Sequence, residues 1–253
     1  MKEQFTTNAI NLKSYSISEA DKIILMYSKE KGLIKGIAKG IKKTNSKLGG
    51  RMDLLVANKM MLNKGRNIDT ICQAEALNTF FNLRNDINKL FYAMYCCEIV
   101  TNFGTENDPN SEEIYSLFYT FLDSISSAET KEQVMLFVLR FQLKIMNITG
   151  YLPELSTCVK CLKSANEEFY FSIEHGGIIC PHCSENIVKK IKVHNKIREF
   201  LNTLLREDFN THTRYDDLAT EKVCDICINL LKNYIEYYSP KRFKTTQILE
   251  GIR

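Results

Sequence analysis

The sequence has no apolar stretch long enough to cross a bilayer. Its longest run, Leu90–Cys97, stops at Glu98, well short of the roughly 20 residues a spanning helix needs. The first residues, MKEQFTTNAI, lack the apolar core of a secretory signal. The expected location is therefore the cytosol, where the nine cysteines are kept as thiols or metal thiolates. Neither GxxxxGK[ST] nor GxGxxG occurs, so no phosphate-binding P-loop or dinucleotide fingerprint is present. HExxH, GxSxG and a carboxylate cluster with metal spacing are also missing. The four histidines are scattered, and His194 and His212 sit beside polar residues without evident partners. No repeat and no low-complexity linker is visible. Nothing here argues for an enzyme.

What is present is an ordinary globular composition: 253 residues, 44% hydrophobic and 25% charged. That excludes collagen, disorder and a disulfide miniprotein, and the length allows one or two domains. The net charge of +4 is unevenly spread. Residues 1–80 carry 14 Lys+Arg against 7 Asp+Glu; residues 81–253 carry 20 against 23. The positive field belongs to the first third of the chain.

That third reads as strands. Ile23–Tyr27 is a continuous apolar run too short for a helix, and Ser28–Gly32 supplies turn chemistry. In Leu33–Lys39, Ile34, Gly36 and Ala38 share one face while Lys35 and Lys39 share the other. Met52–Leu62 alternates, and Asn63–Asn67 reads as a hairpin loop into Ile68–Glu75. With a first strand near Ala9–Tyr15, about five short strands result. A small closed barrel such as an OB-fold removes their exposed edges.

From Asn85 the period becomes helical. Ile87/Leu90/Phe91/Met94/Cys97, ended by Gly104, form one stripe, and Ile114/Leu117/Phe118/Phe121/Leu122/Ile125 another. Thr130-x-x-Gln133 resembles a capping box opening Val134/Phe137/Val138/Phe141/Ile145/Ile148, with Gly150 beyond. Two more stripes are Ile197/Phe200/Leu201/Leu204/Leu205 and Val223/Ile226/Cys227/Leu230/Leu231/Tyr234/Ile235. These are expected to pack together as a bundle. The fold class is thus α+β: an OB-fold barrel over 1–80 and a helical domain over 81–253, the boundary falling near Asn78–Asn85.

The sharpest local signal is Cys158-x2-Cys161 followed, after eighteen residues, by Cys180-x2-Cys183. Two knuckles flanking a strand-like hairpin (Phe169–Glu174, Ile178–Cys180) bring four thiolates to one point, which suits a single tetrahedral Zn²⁺. A closed shell of four cysteines makes that ion structural. An iron–sulfur cluster would use the same ligands, and four buried free cysteines are the plain alternative. The zinc-ribbon-like finger is placed at about 154–188, with His182 exposed and not a ligand. A third pair, Cys224 and Cys227, falls in a helical stripe and reads as core.

The segment KGLIKGIAKGIKKTNSKLGGR, 31–51, holds Lys31, Lys35, Lys39, Lys42, Lys43, Lys47 and Arg51 and no acidic residue. Gly36, Gly40, Gly49 and Gly50 suggest a supple backbone. A phosphate chain is the natural complement of such one-signed charge, gripped by a sheet face and a mobile loop. A solvated lysine face is the bland alternative. Phe5, Tyr15 and Tyr27 are possible base-stacking platforms, though such residues are more often core.

SYSISEADKI at 14–23 and YSKEKGLIKGIAKGIKKTNSKLGGR at 27–51 resemble the start of the bacterial RecO family. FQLKIMNITGYLPELSTCVKC at 141–161 with GGIICPHC at 176–183 resembles the zinc-binding insertion of many of its members. The resemblance runs over nearly the whole chain. It implies a non-enzymatic mediator of recombinational DNA repair that binds single- and double-stranded DNA and anneals complementary strands. With RecR it would help load RecA onto single strands coated by single-strand DNA-binding protein (SSB), whose acidic C-terminal tail it also binds. Carried across, Lys35, Lys39, Lys42, Lys43, Lys47 and Arg51 occupy the DNA surface, and Cys158, Cys161, Cys180 and Cys183 the zinc positions. A tail pocket needs a greasy floor and a cationic rim; Arg140, Lys144, Lys241, Arg242 and Lys244 are candidates for that rim. A DNA partner would place the protein at the nucleoid. Two other readings stay open: a zinc-ribbon adaptor for protein partners, and a nuclease whose carboxylates meet only in three dimensions.

Overall fold

The computed structural model describes residues 3–164, 168–211 and 215–245; His212 lies outside them. The α+β organisation is present. Five strands, β1 (Gln4–Ser16), β2 (Lys22–Ser28), β3 (Gly32–Ala38), β4 (Ala57–Asn63) and β5 (Asp69–Asn78), close into a barrel in the order β1-β2-β3-β5-β4. β1 serves two neighbours, pairing with β4 over Gln4–Ile10 and with β2 over Ala9–Ser16. A register shift between Asn11 and Lys13 leaves Leu12 as an extra residue, and such a bulge bends a strand enough to turn a barrel corner. Closure comes from a short parallel contact, Gly36↔Asp69 and Ile37↔Thr70. Gly36 makes it possible, since a Cβ there would lie 2.7 Å from Cγ1 of Ile71 on β5.

The barrel interior is filled by Ala9, Ile24, Met26, Ile34, Ala38, Met60, Leu62 and Ile71. Ile41 and Leu48 of the basic segment, and Met52 just after it, join that core. The unbroken apolar run of β2 is explained by burial on both faces. Ile24 and Met26 look inward, while Leu25 and Tyr27 are also buried, and a helix covers that outer side.

Five helices follow: α1 (Ile87–Phe103), α2 (Ser111–Ser127), α3 (Lys131–Ile148), α4 (Asn195–Arg206) and α5 (Glu221–Tyr238). Asp86 caps α1 through the N–H groups of Asn88 and Lys89, and Thr130 with Gln133 forms the expected capping box on α3. His194 is the N-cap of α4, its Nδ1 accepting from Lys196 N–H at 3.2 Å.

The five helices, whose stripes suggested a bundle, are divided between two compact units. One compact unit contains Met1–Ser127 and the chain from Phe243; the other is Ala128–Arg242. α2 lies on β1, β2 and β3, and α1 touches both α2 and β1. α3 packs with α4 and α5. The change of period near residue 80 therefore marks where strand gives way to helix, while the compact unit runs on through α1 and α2. α1 also departs from its expected stripe. Ile87 is 61% exposed, whereas Ala93, Tyr95, Cys96, Cys97, Ile99, Val100 and Phe103 are buried. These positions span most of the helix circumference, as a helix covered on two sides requires.

A second, three-stranded sheet, β7-β6-β8, is built from β6 (Phe169–Ser172), β7 (Gly177–Ile179) and β8 (Ile191–Val193). It belongs to the second unit.

Candidate nucleic-acid interface and metal centre

β3 ends at Ala38, so Lys35 leaves the strand while Lys39 stands in the turn beyond it, not on the same strand face. The segment after β3 is built rather than slack. Gly40 N–H donates to Asp21 Oδ1 at 2.7 Å, Lys42 N–H to Ala20 O at 3.1 Å, and Ser46 N–H to Lys43 O at 3.0 Å. Met52 does not begin a long strand; it closes a 3-10 turn over Gly49–Met52. Leu55 takes a left-handed φ of 64°, which interrupts the alternation expected from Met52 onward. The side chains of Asn11 and Asn58 both donate to Arg51 O, at 2.8 and 2.7 Å, and fix this return to β4.

The division of labour along 39–51 is sharp. The apolar Ile41 and Leu48 point into the barrel, and Lys39, Lys42, Lys43, Lys47 and Arg51, like Lys35, are exposed. Lys42 Nζ donates to Ser18 O at 2.9 Å and Arg51 to Lys47 O at 2.7 Å. Among the described residues none of the six forms an ion pair with a carboxylate. Apolar anchoring with every cation turned outward gives a predominantly basic rim at the barrel end shared with the β1–β2 turn, whose acids are Glu19 and Asp21.

The aromatic platforms fare differently. Tyr27 is fully buried, and its hydroxyl donates to Asp108 Oδ2 at 3.1 Å; burial and that carboxylate hold its pKa far above the ordinary phenol range. It cannot stack on a base. Phe5 is half-buried with the Lys31 ammonium 3.5 Å from its ring centroid. Tyr15 is 45% exposed beside Lys13.

At the other end of β3 the structure forms a cleft of about 410 Å³ between Lys31–Lys35, the β4–β5 loop (Lys64–Asp69) and Glu106–Asn107. Lys64 and Arg66 in this loop escaped the sequence reading. Their tripeptide KGR is too short to register as a basic run, and only the barrel closure sets it beside β3.

The four cysteines converge. Their sulfur atoms all lie within 4.8 Å of one another, and Cys161 Sγ is 3.8 Å from Cys180 Sγ. Tetrahedral zinc with Zn–S bonds near 2.3 Å sets its sulfurs about 3.8 Å apart, so the spacing fits an ion and is far from a disulfide. Cys180 N–H donates to Cys158 Sγ at 3.4 Å and Cys183 N–H to Cys180 Sγ at 3.5 Å. Such bonds stabilise thiolates. Burial pushes the Cys158 thiol up, but N–H donation from Cys180, Cys161 and Lys160 outweighs it and pulls the pKa down to about 6. The group could hold a metal ion. Ile179 and Ile187 pack with Cys158 as a small core beneath it. His182 projects into solvent with its side chain 91% exposed. Cys224 and Cys227 are fully buried on α5, and burial lifts both thiols to about 12; they are core, as expected.

Arg140, expected on a cationic rim, is instead 2% exposed within the second unit. Its guanidinium donates to Glu207 at 2.9 Å, Tyr215 Oη at 2.8 Å, Thr211 O at 3.1 Å and Phe209 O at 3.3 Å. Tyr215 also donates to Glu207. An arginine so buried and so engaged is a structural clasp, not a surface cation. Lys144 is half-buried, its Nζ donating to Leu205 O at 3.3 Å. Lys241, Arg242 and Lys244 are exposed after α5, and Lys244 N–H donates to the Glu98 carboxylate.

Two family models match the chain: the N-terminal part of recombination protein O over residues 1–80, and its C-terminal part over 84–247. Among similar proteins, a DNA repair protein RecO from Desulforamulus reducens is 32% identical over 251 residues, covering 98% of this chain and 94% of that one. A DNA repair protein RecO from Dehalococcoides mccartyi is 34% identical over 180 residues, covering 71% and 70%. One from Acetivibrio thermocellus is 28% identical over 239 residues, covering 94% and 91%.

Proposed function

The chain belongs to the RecO family of DNA repair and recombination proteins, and from that premise we propose that its barrel is an OB-fold that grips DNA by the phosphate backbone. The observation that carries the reading is the rim of Lys35, Lys39, Lys42, Lys43, Lys47 and Arg51. All six are exposed on one built segment, and none is neutralised by a carboxylate among the described residues. Neutralising phosphates with such cations releases counterions, which drives binding without reading sequence.

Strand annealing needs no more than this. Two backbones held on one cationic surface repel each other less, and their bases meet at a raised local concentration. No bond is made or broken, so the reading is of a mediator, not an enzyme. It acts at the nucleoid with RecR, on strands coated by single-strand binding protein, and so assists RecA loading. The acidic tail of that binding protein docks on the helical part of the chain. Lys241, Arg242 and Lys244 stay as rim candidates for the tail, and Arg140 does not.

Cys158, Cys161, Cys180 and Cys183 would hold one zinc ion, whose coordination contributes folding energy to the finger and leaves no open position for catalysis. The test is strand annealing without nucleotide, on bare strands and on strands coated by single-strand binding protein. Annealing of both, lost on charge reversal at Lys39, Lys42 and Lys43, supports the reading. Annealing at the spontaneous rate overturns it.

A further inference from the structure

The cleft at the far end of β3 differs chemically from the basic rim. The rim is predominantly basic. The cleft has two kinds of wall. Lys35, Lys64 and Arg66 supply positive charge, while Asn67, Asn107 and Glu106 supply neutral and acidic hydrogen-bonding groups. Lys31, also in the lining, is engaged over Phe5 and Lys64 pairs with Glu3 at 3.4 Å; Lys35 and Arg66 are exposed.

The walls are built. Gly65 N–H donates to Asp69 Oδ1 at 3.0 Å, and a Cβ on Gly65 would fall 1.8 Å from Ile68 O. The loop is thus a tight turn only glycine allows. Opposite it, Asn107 N–H donates to Lys31 O at 2.8 Å and Leu33 N–H to Thr105 O at 2.9 Å. β3 pairs with β5 only at Gly36 and Ile37, so the sheet gapes along Leu33–Lys35 and the cleft occupies the gap.

A simple anion would engage the cationic wall alone and leave Glu106 and the two asparagines without a partner. A nucleotide matches both walls: its phosphate faces Lys35 and Arg66, and its base offers donors and acceptors to the amides and the carboxylate. Asn pairs well with adenine edges and Glu accepts from the cytosine amine. The volume of about 410 Å³ lies within the roughly 300–1,000 Å³ of small-ligand sites, too small for a duplex. A base in a duplex would have to leave its stack and its partner to enter, a cost that an unpaired base does not bear.

We propose that this cleft receives one unpaired nucleotide of a bound strand, so that the barrel favours single over double strands through Arg66, Asn67 and Asn107, with Lys35 common to rim and cleft. The proposal rests on the reading of the barrel as a polynucleotide-binding module. The rim then serves both kinds of DNA, and the cleft discriminates between them.

The experiment compares full-length wild type, Arg66→Ala/Asn67→Ala and Lys42→Ala/Lys43→Ala by fluorescence anisotropy, with a labelled mixed-sequence single strand and a hairpin duplex. The cleft variant is expected to bind the single strand about tenfold more weakly, the loss of one charge-assisted hydrogen bond, with duplex affinity within about twofold. The rim variant should weaken both. Equal losses on both DNAs in the cleft variant, or none, overturn the cleft assignment while the rim result stands. A rim variant without effect counts against the rim itself. Photo-crosslinking of wild type with a single strand carrying 4-thiothymidine removes any dependence on variant folding. Crosslinks in 64–69 or 106–107, chased by unlabelled single strand but not by duplex, support the proposal. Crosslinks elsewhere, or chased only by free deoxynucleoside monophosphate, overturn it.

Discussion

Replacing Lys39, Lys42 and Lys43 together by alanine should change how DNA binding responds to salt more than it changes the protein. All three side chains are exposed, and Lys42 loses only a surface hydrogen bond to Ser18 O. Such substitutions usually move stability by no more than about 0.5 kcal/mol each. If six cations of the rim meet phosphates, log K for a single strand falls with log salt at a slope of about −4.2, and with three it falls at about −2.1. Between 50 and 200 mM salt the wild type should then lose roughly 300-fold in affinity and the triple variant only about 20-fold. The two titrations should converge at high salt, because what distinguishes them is counterion release. Fluorescence anisotropy with a labelled oligonucleotide across that range gives both slopes, and circular dichroism checks the fold. Parallel slopes in the two proteins would refute the rim as the phosphate-binding surface, whatever the difference in affinity at one salt concentration.

Cys158→Ser should abolish the one-to-one metal content measured by elemental analysis and lower the thermal midpoint; Cys224→Ala, removing a core thiol, should leave metal content unchanged. Arg140→Met strands the Glu207 carboxylate beside Tyr215 and should cost about 3–5 kcal/mol in urea unfolding, part of it recovered by adding Glu207→Gln. A loss below about 1 kcal/mol would mean the clasp is not a buried ion pair. Gly36→Val pushes side-chain carbon into Ile71 at the barrel closure and should destabilise by about 1–3 kcal/mol or more. Thr130→Ala removes a capping box and should cost about 1 kcal/mol.

The residues that were legible in the sequence share one property: their role is set by their own neighbours in the chain. The cysteine spacing, the capping box and the exposure of the lysines from Lys35 to Lys47 are of this kind. The run Ile23–Tyr27 also read correctly as a strand, because five apolar residues between turns are too few for a solitary helix. Its need for cover on both faces was equally implicit, but the identity of the cover was not. A stripe states that a helix face is buried and is silent about the partner, so nothing in it told that α1 and α2 lie on the barrel. Arg140 misled for the same reason. Four residues from Lys144 on a helix, it looks like a surface charge, and its carboxylate partner stands 67 positions further on. Lys64 and Arg66 looked like the trimmings of a hairpin until barrel closure set them across from β3. Burial and charge are one-dimensional signals, whereas a clasp or a cleft is made by the return of the chain upon itself. The returns here hang on single residues: the extra Leu12 that bends β1, the left-handed Leu55 that ends the basic segment, and the bare Gly36 that lets β3 meet β5. The cleft and the Lys39–Arg51 part of the rim lie toward opposite ends of β3, with Lys35 common to both, so one short strand governs both the grip on phosphate and the opening beside it. A substitution at Gly36 that still folds should therefore alter the preference for single strands while leaving the salt dependence set by the rim in place.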